Sequence, residues 1–170
     1  LLTEDEREAS VLTQELCALN SERKQIETAI FEEAQRQLMR NLPKGPIVLA
    51  GRGWFQGVMG IVAARITEQF LFPSVVISIG EDGIGRGSCR SFSGFRIYSA
   101  LEKCSDLLIN YGGHEMAAGI TILEENIDAF RERLNTLYHE EIKIPPVPTL
   151  LVDFEVIKPE LLSLENVAAL

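Results

Sequence analysis

The stretch PSVVISIGEDGIGRGSCRS, residues 73–91, decides the fold class of this chain. It begins with a continuous run of mostly β-branched residues, Val75 to Ile79, which is typical of a strand in the interior of a sheet. A short segment of glycines and acidic residues follows, and a second strand, loosened by glycine, begins near Ile84. No helical crossover fits between strands that lie so close in the sequence, so parallel pairing is excluded for these two. The stretch therefore predicts a sheet of mixed strand directions.

Helices and strands alternate on both sides of this stretch. The sequence predicts, in chain order, a strand at 47–50, a glycine-rich turn at 51–57, a helix at 58–70, a short helix at 98–104, a loop at 110–119, a strand at 118–123 and a helix after residue 126. Strands that alternate with helices indicate an α/β domain. We therefore expect a small mixed β-sheet of about four or five strands, flanked by helices.

Two of the predicted helices are amphipathic. In the helix at 58–70, the residues expected on the buried face are Val58, Ile61, Val62, Ile66 and Phe70. The last helix is expected to begin with Asn126 as its N-cap. Its inward face is predicted to consist of Ile127, Phe130, Leu134, Leu137 and Tyr138.

A long helix is predicted to precede the α/β domain. Residues 3–40 contain no Pro or Gly, and apolar residues recur at steps of three and four, namely Leu12, Leu16, Leu19, Ile26, Ile30, Ala34 and Leu38. Heptads are not sustained, so we expect a connecting or packing helix and not a coiled coil. The sequence thus divides into a connector helix at 1–42, a domain at 43–143, and a linker with the start of a further domain at 144–170. Both ends look cut out of a longer protein.

Composition and charge argue against several classes of protein. The formal net charge of −9 disfavours a general nucleic-acid coat, because such binding depends on neutralising phosphates. Residues 46–122, which hold the glycine-rich motifs, are balanced, with six acidic and six basic residues. No window approaches the ~20 apolar residues that a membrane-spanning helix needs. We therefore expect a soluble, cytoplasmic protein with no membrane partner. The three cysteines are odd in number and lack the spacing of zinc ligands, which fits a reduced compartment and not a structural metal.

The segment GRGSCRS, residues 85–91, can place two arginines beside a hydroxyl. In a strand, the period of two puts Arg86, Ser88 and Arg90 on one face and the residues between them on the other. A guanidinium offers a planar fork to phosphate oxygens, and Ser is a neutral donor between two such forks. The segment is therefore either a phosphate-binding cradle or a solvated strand face with surface arginines.

The segment NYGGHEMAAG, residues 110–119, places two glycines before one of only two histidines. Gly112 and Gly113 leave the backbone bare, so that its N–H groups can approach an anion. His114 would then face the same ligand as a donor or proton carrier, although a lone histidine after a Gly-Gly turn is more often a structural residue. The helix start near Gly57 and Val58 is a further candidate anion site. Two aromatic residues beside it, Trp54 and Phe55, suit either stacking on a base or core packing.

Residues that would hold a catalytic metal are not grouped in the sequence. Its five aspartates are scattered, and neither histidine lies at ligand spacing from another ligand. No Ser/His/Asp or Cys/His pattern with a known local signature occurs either. We therefore expect no metal or cofactor in this chain, and no hydrolytic activity from it alone.

Four segments taken in order resemble the RecJ family of single-stranded-DNA-specific 5′ to 3′ exonucleases. They are LNSERKQIE (19–27), WFQGVMGIVAARITEQFLFPSVVIS (54–78), GRGSCRSFSGFRIYSALEKC (85–104) and YGGHEMAAGITI (111–122). The resemblance covers roughly residues 10–140 and lies in the DHH-associated domain of that family. Phe55 departs from the pattern, since many relatives have histidine there, and Arg86 is not part of it.

The resemblance implies a division of labour between two domains. The DHH domain of the same chain would hold Mn or Mg ions, and the domain in hand would close over the end of single-stranded DNA. By motif match, Ser88 and Arg90 would bind the 5′-terminal phosphate with Ser91 beside them. The Gly-Gly-His segment at 112–114 would face the scissile phosphate, with His114 in the catalytic position. Residues 149 onward would lead into an OB-fold domain, and the long helix would be a rigid connector.

Three functions are compatible with these observations. The first is the substrate-binding part of an exonuclease of DNA repair and recombination. The second is a phosphodiesterase for short oligonucleotides or cyclic dinucleotides, which uses a related domain. The third is a non-catalytic assembly module, in which the long helix pairs with a partner and the glycine-rich segments are turns.

Overall fold

The sheet forms around the strand pair that the sequence predicts at residues 73–91. The computed structural model describes residues 3–40, 42–92, 94–143 and 163–165. The elements are α1 (Glu6–Arg40), β1 (Ile47–Arg52), α2 (Met59–Phe70), β2 (Ser74–Ile79), β3 (Ile84–Arg90), α3 (Ile97–Glu102), β4 (Leu108–His114), β5 (Ala117–Leu123) and α4 (Ile127–Glu141). Short 3₁₀ turns precede α2, β4 and α4, at Gln56–Val58, Ser105–Leu107 and Glu124–Asn126.

The sheet has five strands in the order β1-β2-β3-β5-β4. β1 and β2 are parallel and are connected through α2, whereas the other three pairings are antiparallel. The β2–β3 connection is tight, because Gly83 has φ 71° and the Gly83 N–H bonds back to the Gly80 carbonyl. The α/β class and the mixed sheet flanked by helices are thereby confirmed.

Two apolar clusters lie on opposite faces of the sheet. On one face, α3 and α4 pack against β2, β3 and β5 through residues such as Val75, Cys89, Phe130 and Leu134, each 0 % exposed. On the other face, α2 and the second half of α1 cover β1 and β2. Because side chains alternate along a strand, neighbouring residues of β2 and β3 belong to different faces. The candidate site described below lies on the second face.

The predicted loop at 110–119 is wrong. Residues up to His114 belong to β4, residues from Ala117 belong to β5, and the two strands form a hairpin with a two-residue turn. Gly113 adopts φ 142°, which glycine tolerates and other residues rarely do. The strand was hidden in the sequence because β4 is an edge strand whose residues are mostly exposed, so no apolar alternation marks it.

The first half of α1 does not pack as its apolar stripe predicts. Leu12, Leu16 and Leu19 are 37 to 62 % exposed, whereas Ala34 and Leu38 in the second half are buried. The helix begins at Glu6, after Asp5, whose carboxylate accepts the Arg7 and Glu8 backbone N–H groups. The domain limits at 42 and 143 remain predictions. The predicted linker and further domain at 144–170 lie outside the described residues, apart from 163–165.

Two local predictions about helices need correction. Ile61 is 38 % exposed, because the stripe of α2 that faces the sheet begins at Met59 and continues through Val62, Ala63 and Ile66. Asn126 stands at the N-cap position of α4, but its side chain makes no capping bond. It donates instead to the Leu107 carbonyl at 3.1 Å, which ties α4 to the turn before β4.

In the part of the chain that the structure describes, no helix is long and apolar enough to cross a membrane.

Candidate nucleic-acid interface

The strand register places Arg90 and His114 on the same face of the sheet. Arg90 of β3 is paired with Ala117 of β5, and Ala117 is paired with His114 of β4. Directly paired residues in antiparallel strands project to the same side. Arg90, Ala117 and His114 thus form a row across three strands. Two strand spacings separate Arg90 from His114, so their Cα atoms lie roughly 10 Å apart. The two residues thus flank one stretch of surface, at the end of the sheet nearest the β4–β5 turn.

A second row, next to the first, consists of Ser88, Gly119 and Gly112. Among the residues that the structure describes, a Cβ added at Gly112 would meet no atom within 4 Å, and one at Gly119 would meet only the Gly87 carbonyl at 3.8 Å. α2 packs on β2 and β3, whereas Gly112 lies in β4 and Gly119 lies in β5. The surface above the two glycines is therefore not covered by α2.

This bare surface is a shallow depression, which we call the glycine trough. Its volume is about 300 Å³, and it is lined by Gly87, Asn110, Tyr111, Gly112, Gly119, Ile120 and Thr121. Sequence reasoning missed Gly119 and Thr121, because strand register, which sequence does not reveal, brings them opposite Gly112 and Asn110. The trough provides room for an extended ligand beside Ser88.

Arg90 is held against its own strand. Its Nη1 atom donates to Ser88 Oγ at 3.0 Å and to the Cys89 carbonyl at 2.8 Å. Among the described residues, no carboxylate lies within ion-pairing distance of its guanidinium. A half-buried guanidinium without a counter-charge binds an anion strongly, because its hydrogen bonds are charge-assisted.

His114 ends β4 with an exposed side chain. Its Nδ1 atom accepts the Met116 backbone N–H at 3.3 Å. When Nδ1 is an acceptor, the neutral ring carries its proton on Nε2. The imidazole can therefore donate a hydrogen bond from Nε2 to a ligand above the turn.

The other predicted site residues are placed differently. Arg86 lies on the same face as Ser88, one row further from Arg90, and its guanidinium is 3.8 Å from the Asp82 carboxylate. The Ser91 hydroxyl donates to the Phe95 carbonyl at 2.6 Å, so it already has a partner. The Cβ position of Gly113 points at Ala118 on the opposite face, 2.5 Å from its Cα. The structure therefore brings together Ser88, Arg90, Gly112 and His114, with Arg86 beyond them.

The candidate anion site at the start of α2 is not formed as expected. The Val58 N–H donates to the Phe55 carbonyl at 3.2 Å, and the Met59 N–H donates to Gln56. Trp54 is 5 % exposed and its indole N–H donates to Glu33 at 3.0 Å, so Trp54 is a core residue and does not stack on a base. The 3₁₀ turn at Gln56–Val58 uses these N–H groups before α2 begins.

Burial makes the thiols of two cysteines, Cys89 and Cys104, harder to ionise. Burial raises the pKa of the Cys89 thiol to about 12, against a smaller opposing effect of Arg90. Burial likewise raises the pKa of Cys104 to about 11.

In the described residues, no three His, Cys, Asp or Glu side chains are grouped so that they could hold a metal ion. The interface therefore offers cations, a hydroxyl, an imidazole and bare backbone, which are groups that bind phosphates.

Comparison with known proteins identifies the family. The model of the DHHA1 domain matches residues 44–140, and the chain belongs to that domain family. It is 40 % identical over 139 residues to the single-stranded-DNA-specific exonuclease RecJ of Bacillus subtilis, covering 81 % of this chain and 18 % of the relative. RecJ of Escherichia coli is 36 % identical over 149 residues, covering 82 % and 26 %. The chain is thus a homologue of the RecJ exonucleases.

The fold agrees with solved RecJ structures. RecJ of Thermus thermophilus in complex with Mg²⁺ superimposes with a TM-score of 0.82 and 34 % identity, covering 99 % of this chain and 26 % of that one. The structure of the same protein with Mn²⁺ gives the same TM-score, covering 24 % of that chain. This chain therefore spans about a quarter of the solved relatives that it matches.

Proposed function

We propose that this chain is the substrate-binding part of a 5′ to 3′ single-stranded-DNA exonuclease that acts in DNA repair and recombination in the cytoplasm. The observation that carries the proposal is the placement of Arg90 and His114 on one face, beside a trough floored by glycine. The homology to RecJ exonucleases supports the choice of substrate. The activity, the substrate and the 5′ to 3′ direction of cleavage belong to the whole protein. This chain supplies residues that bind the substrate.

The 5′-terminal phosphate is assigned to Ser88 and Arg90. The Arg90 guanidinium has no counter-charge among the described residues. Ser88 Oγ accepts a hydrogen bond from Arg90 Nη1 at 3.0 Å, and its own O–H can donate to a phosphate oxygen. Arg86 adds positive field from the next row, reduced by Asp82. Ser91 supports the strand end through its bond to Phe95 and does not contact the phosphate.

The sugar-phosphate backbone is assigned to the glycine trough, and His114 to the scissile phosphate. A phosphodiester can lie close to the sheet above Gly112 and Gly119 because no side chain stands there. At its end, His114 donates from Nε2 to a phosphate oxygen and so helps to orient it. Gly113 contributes by allowing β4 to adopt, beside His114, a backbone conformation with φ 142° that other residues rarely take.

Bond cleavage is assigned to a DHH domain in another part of the whole protein. RecJ structures with Mg²⁺ and Mn²⁺ are known, whereas Asp82 and Glu115 of this chain are each ion-paired with an arginine. The residues that the structure describes do not form a metal site, so no hydrolytic step is assigned to them. The partners of this chain are then single-stranded DNA and the DHH domain, and the chain alone is inactive.

Reconstitution tests the proposal. A separately produced DHH domain of the RecJ family is added to this chain, and nucleotide release from 5′-phosphorylated single strands is measured. Arg90→Ala and His114→Ala should each lower the rate about tenfold or more, equivalent to about 1.4 kcal/mol of transition-state stabilisation. The control is Arg133→Ala, on an exposed arginine that pairs with Asp106 at the α3–α4 side.

The outcomes separate the competing functions. Wild-type rates in both variants would refute the site assignment. Release only from very short oligonucleotides would favour the phosphodiesterase. A chain that dimerises in light scattering and ignores DNA would favour the assembly module.

A further inference from the structure

Gly60, in the first turn of helix α2, faces Arg90 and Ser88 of strand β3. A Cβ atom added to Gly60 would lie 2.7 Å from Nη2 of Arg90 and 3.3 Å from Oγ of Ser88. The Cζ atom of the same guanidinium would be 3.5 Å away. A Cβ atom cannot lie 2.7 Å from a nonbonded heavy atom unless one of the two moves, so the Arg90 guanidinium occupies space that a side chain at residue 60 would need.

The helix cannot move away to make more room. Val62, Ala63 and Ile66 of α2 are 0 % exposed in the core. A buried hydroxyl pair also ties the helix to the sheet, because Thr67 Oγ1 and Ser74 Oγ are 2.7 Å apart and Ser74 donates to the Ala63 carbonyl at 2.7 Å. Displacing α2 would break these contacts. The guanidinium would therefore give way before the helix does.

The atom nearest to the added Cβ, Nη2 of Arg90, is at the far end of a flexible side chain. Arg90 has several rotatable bonds and keeps its backbone in β3, so it can swing out without unfolding the sheet. In doing so it would lose the bond to Ser88 Oγ and the orientation beside α2. A methyl group at residue 60 should thus disturb the anion-binding pair and leave the fold intact.

We propose that Gly60 is a positioning residue for Arg90. By lacking a side chain it lets the guanidinium lie between the first turn of α2 and Ser88, in the orientation that receives a 5′-terminal phosphate. This inference rests on the proposed function and adds to it the residue that sets the shape of the phosphate site. Among the described glycines, Gly60 is the one whose added Cβ would meet the Arg90 guanidinium.

Gly60→Ala is a clean test, because alanine is the stronger helix former and the helix itself should not suffer. The matched control is Gly57→Ala, in which the same methyl group meets the exposed Phe55 ring at 2.6 Å and not Arg90. Binding of this chain to a short oligothymidylate with a 3′ fluorophore is measured by anisotropy, once with a 5′-phosphate and once with a 5′-hydroxyl. Thermal unfolding of each variant is measured alongside.

The wild-type chain and Gly57→Ala should prefer the 5′-phosphorylated strand, and Gly60→Ala should lose about fivefold or more of that preference at an unchanged or higher Tm. In an Arg90→Ala background, Gly60→Ala should cause no further loss, because the two residues act through one group. The Arg90 Nε–H NMR signal, assigned by its absence in Arg90→Ala, should shift in Gly60→Ala and not in Gly57→Ala.

An unchanged phosphate preference and an unmoved Arg90 signal in Gly60→Ala would overturn the inference while leaving the proposed function in place. An equal loss in the wild-type and Arg90→Ala backgrounds would also overturn it, since Gly60 would then act on something else. A wild-type chain that binds both strands equally would overturn the proposed function, and this inference with it.

Discussion

At the scale of single residues, the anion-binding pair depends on the shape of a guanidinium as well as on its charge. Arg90 uses Nη1 for Ser88 and Cys89, and the rest of its planar fork is left for a ligand. Lysine would keep the charge and lose the fork. This distinction separates a specific phosphate site from a general attraction to DNA.

Arg90→Lys is expected to keep the binding of 5′-hydroxyl strands and to weaken the binding of 5′-phosphorylated strands about tenfold, since a hydrogen bond to a charged group contributes about 1.5 kcal/mol or more. Anisotropy titrations with both strands measure the two affinities. Equal weakening of both would mean that Arg90 acts only as a point charge.

Cys89 should make the stability of the fold depend on pH in the alkaline range. Its pKa is raised from 9.0 to about 12, so the folded chain keeps a proton that the unfolded chain loses above pH 9. The associated stabilisation is complete below pH 9 and is lost as the pH rises towards 12. From about pH 8 to about pH 10 this residue should lower the free energy of unfolding by about 1 kcal/mol.

Urea unfolding at the two pH values tests this expectation. In Cys89→Ala the difference between the two free energies of unfolding should shrink by the contribution of that thiol, whatever the substitution costs in packing. An unaltered pH dependence would show that Cys89 ionises as readily in the folded chain as in the unfolded one.

At the scale of elements, β4 shows where sequence reasoning fails and why. The alternation of β3 was predictable, since Arg86, Ser88 and Arg90 do share one face and Cys89 is buried on the other. β4 carries no such pattern, because both of its faces are largely exposed. Its pairing with β5 is a non-local property, and only that pairing brings His114 into the row of Arg90.

The two glycines of β4 should respond differently to alanine. A Cβ at Gly113 would lie 2.5 Å from the Ala117 carbonyl oxygen and the Ala118 Cα, which are backbone atoms that cannot move aside, and φ is 142°. Gly113→Ala should therefore lower the free energy of unfolding by about 2 kcal/mol. Gly112→Ala should change it by less than about 0.5 kcal/mol, because its Cβ would meet nothing within 4 Å.

Urea denaturation of the two variants provides the comparison, and each serves as the control for the other. If Gly112→Ala were the more destabilising, the register of the hairpin would be incorrect. Binding of single-stranded DNA should still weaken in Gly112→Ala, because the new methyl group stands in the trough.

At the scale of the whole molecule, the net charge of −9 gives no sign of the local phosphate-binding surface that we propose. Few cations face the trough, so few counterions are released when a strand binds. For single strands the logarithm of affinity falls with that of salt concentration by about 0.7 per neutralised phosphate. We expect a slope of about −1 for the wild-type chain.

Anisotropy titrations across a series of salt concentrations measure this slope. In Arg90→Ala it should become shallower by about 0.7, because one phosphate contact is lost. A steep slope that Arg90→Ala leaves unchanged would place the binding surface elsewhere on the chain.

The fold class and most elements were predictable from local signals, whereas the site was predictable only in part. Residues 73–91 specified the antiparallel pair, and β-branched content specified β2. The role of Gly60 had no local signal, because it arises from the approach of α2 to Arg90 across the sheet. The roles of Ser88, Arg90 and His114 came from resemblance and remain to be tested.

The uneven packing of α1 has a mechanical consequence. Its 35 residues extend for about 52 Å, and only the second half is anchored in the core. The free half therefore works as a lever of roughly 25 Å. A tilt of about 10° at the anchored end would swing Glu6 by roughly 4 Å, so a small rotation of α1 against α2 becomes a much larger displacement at the N-terminal end of the helix.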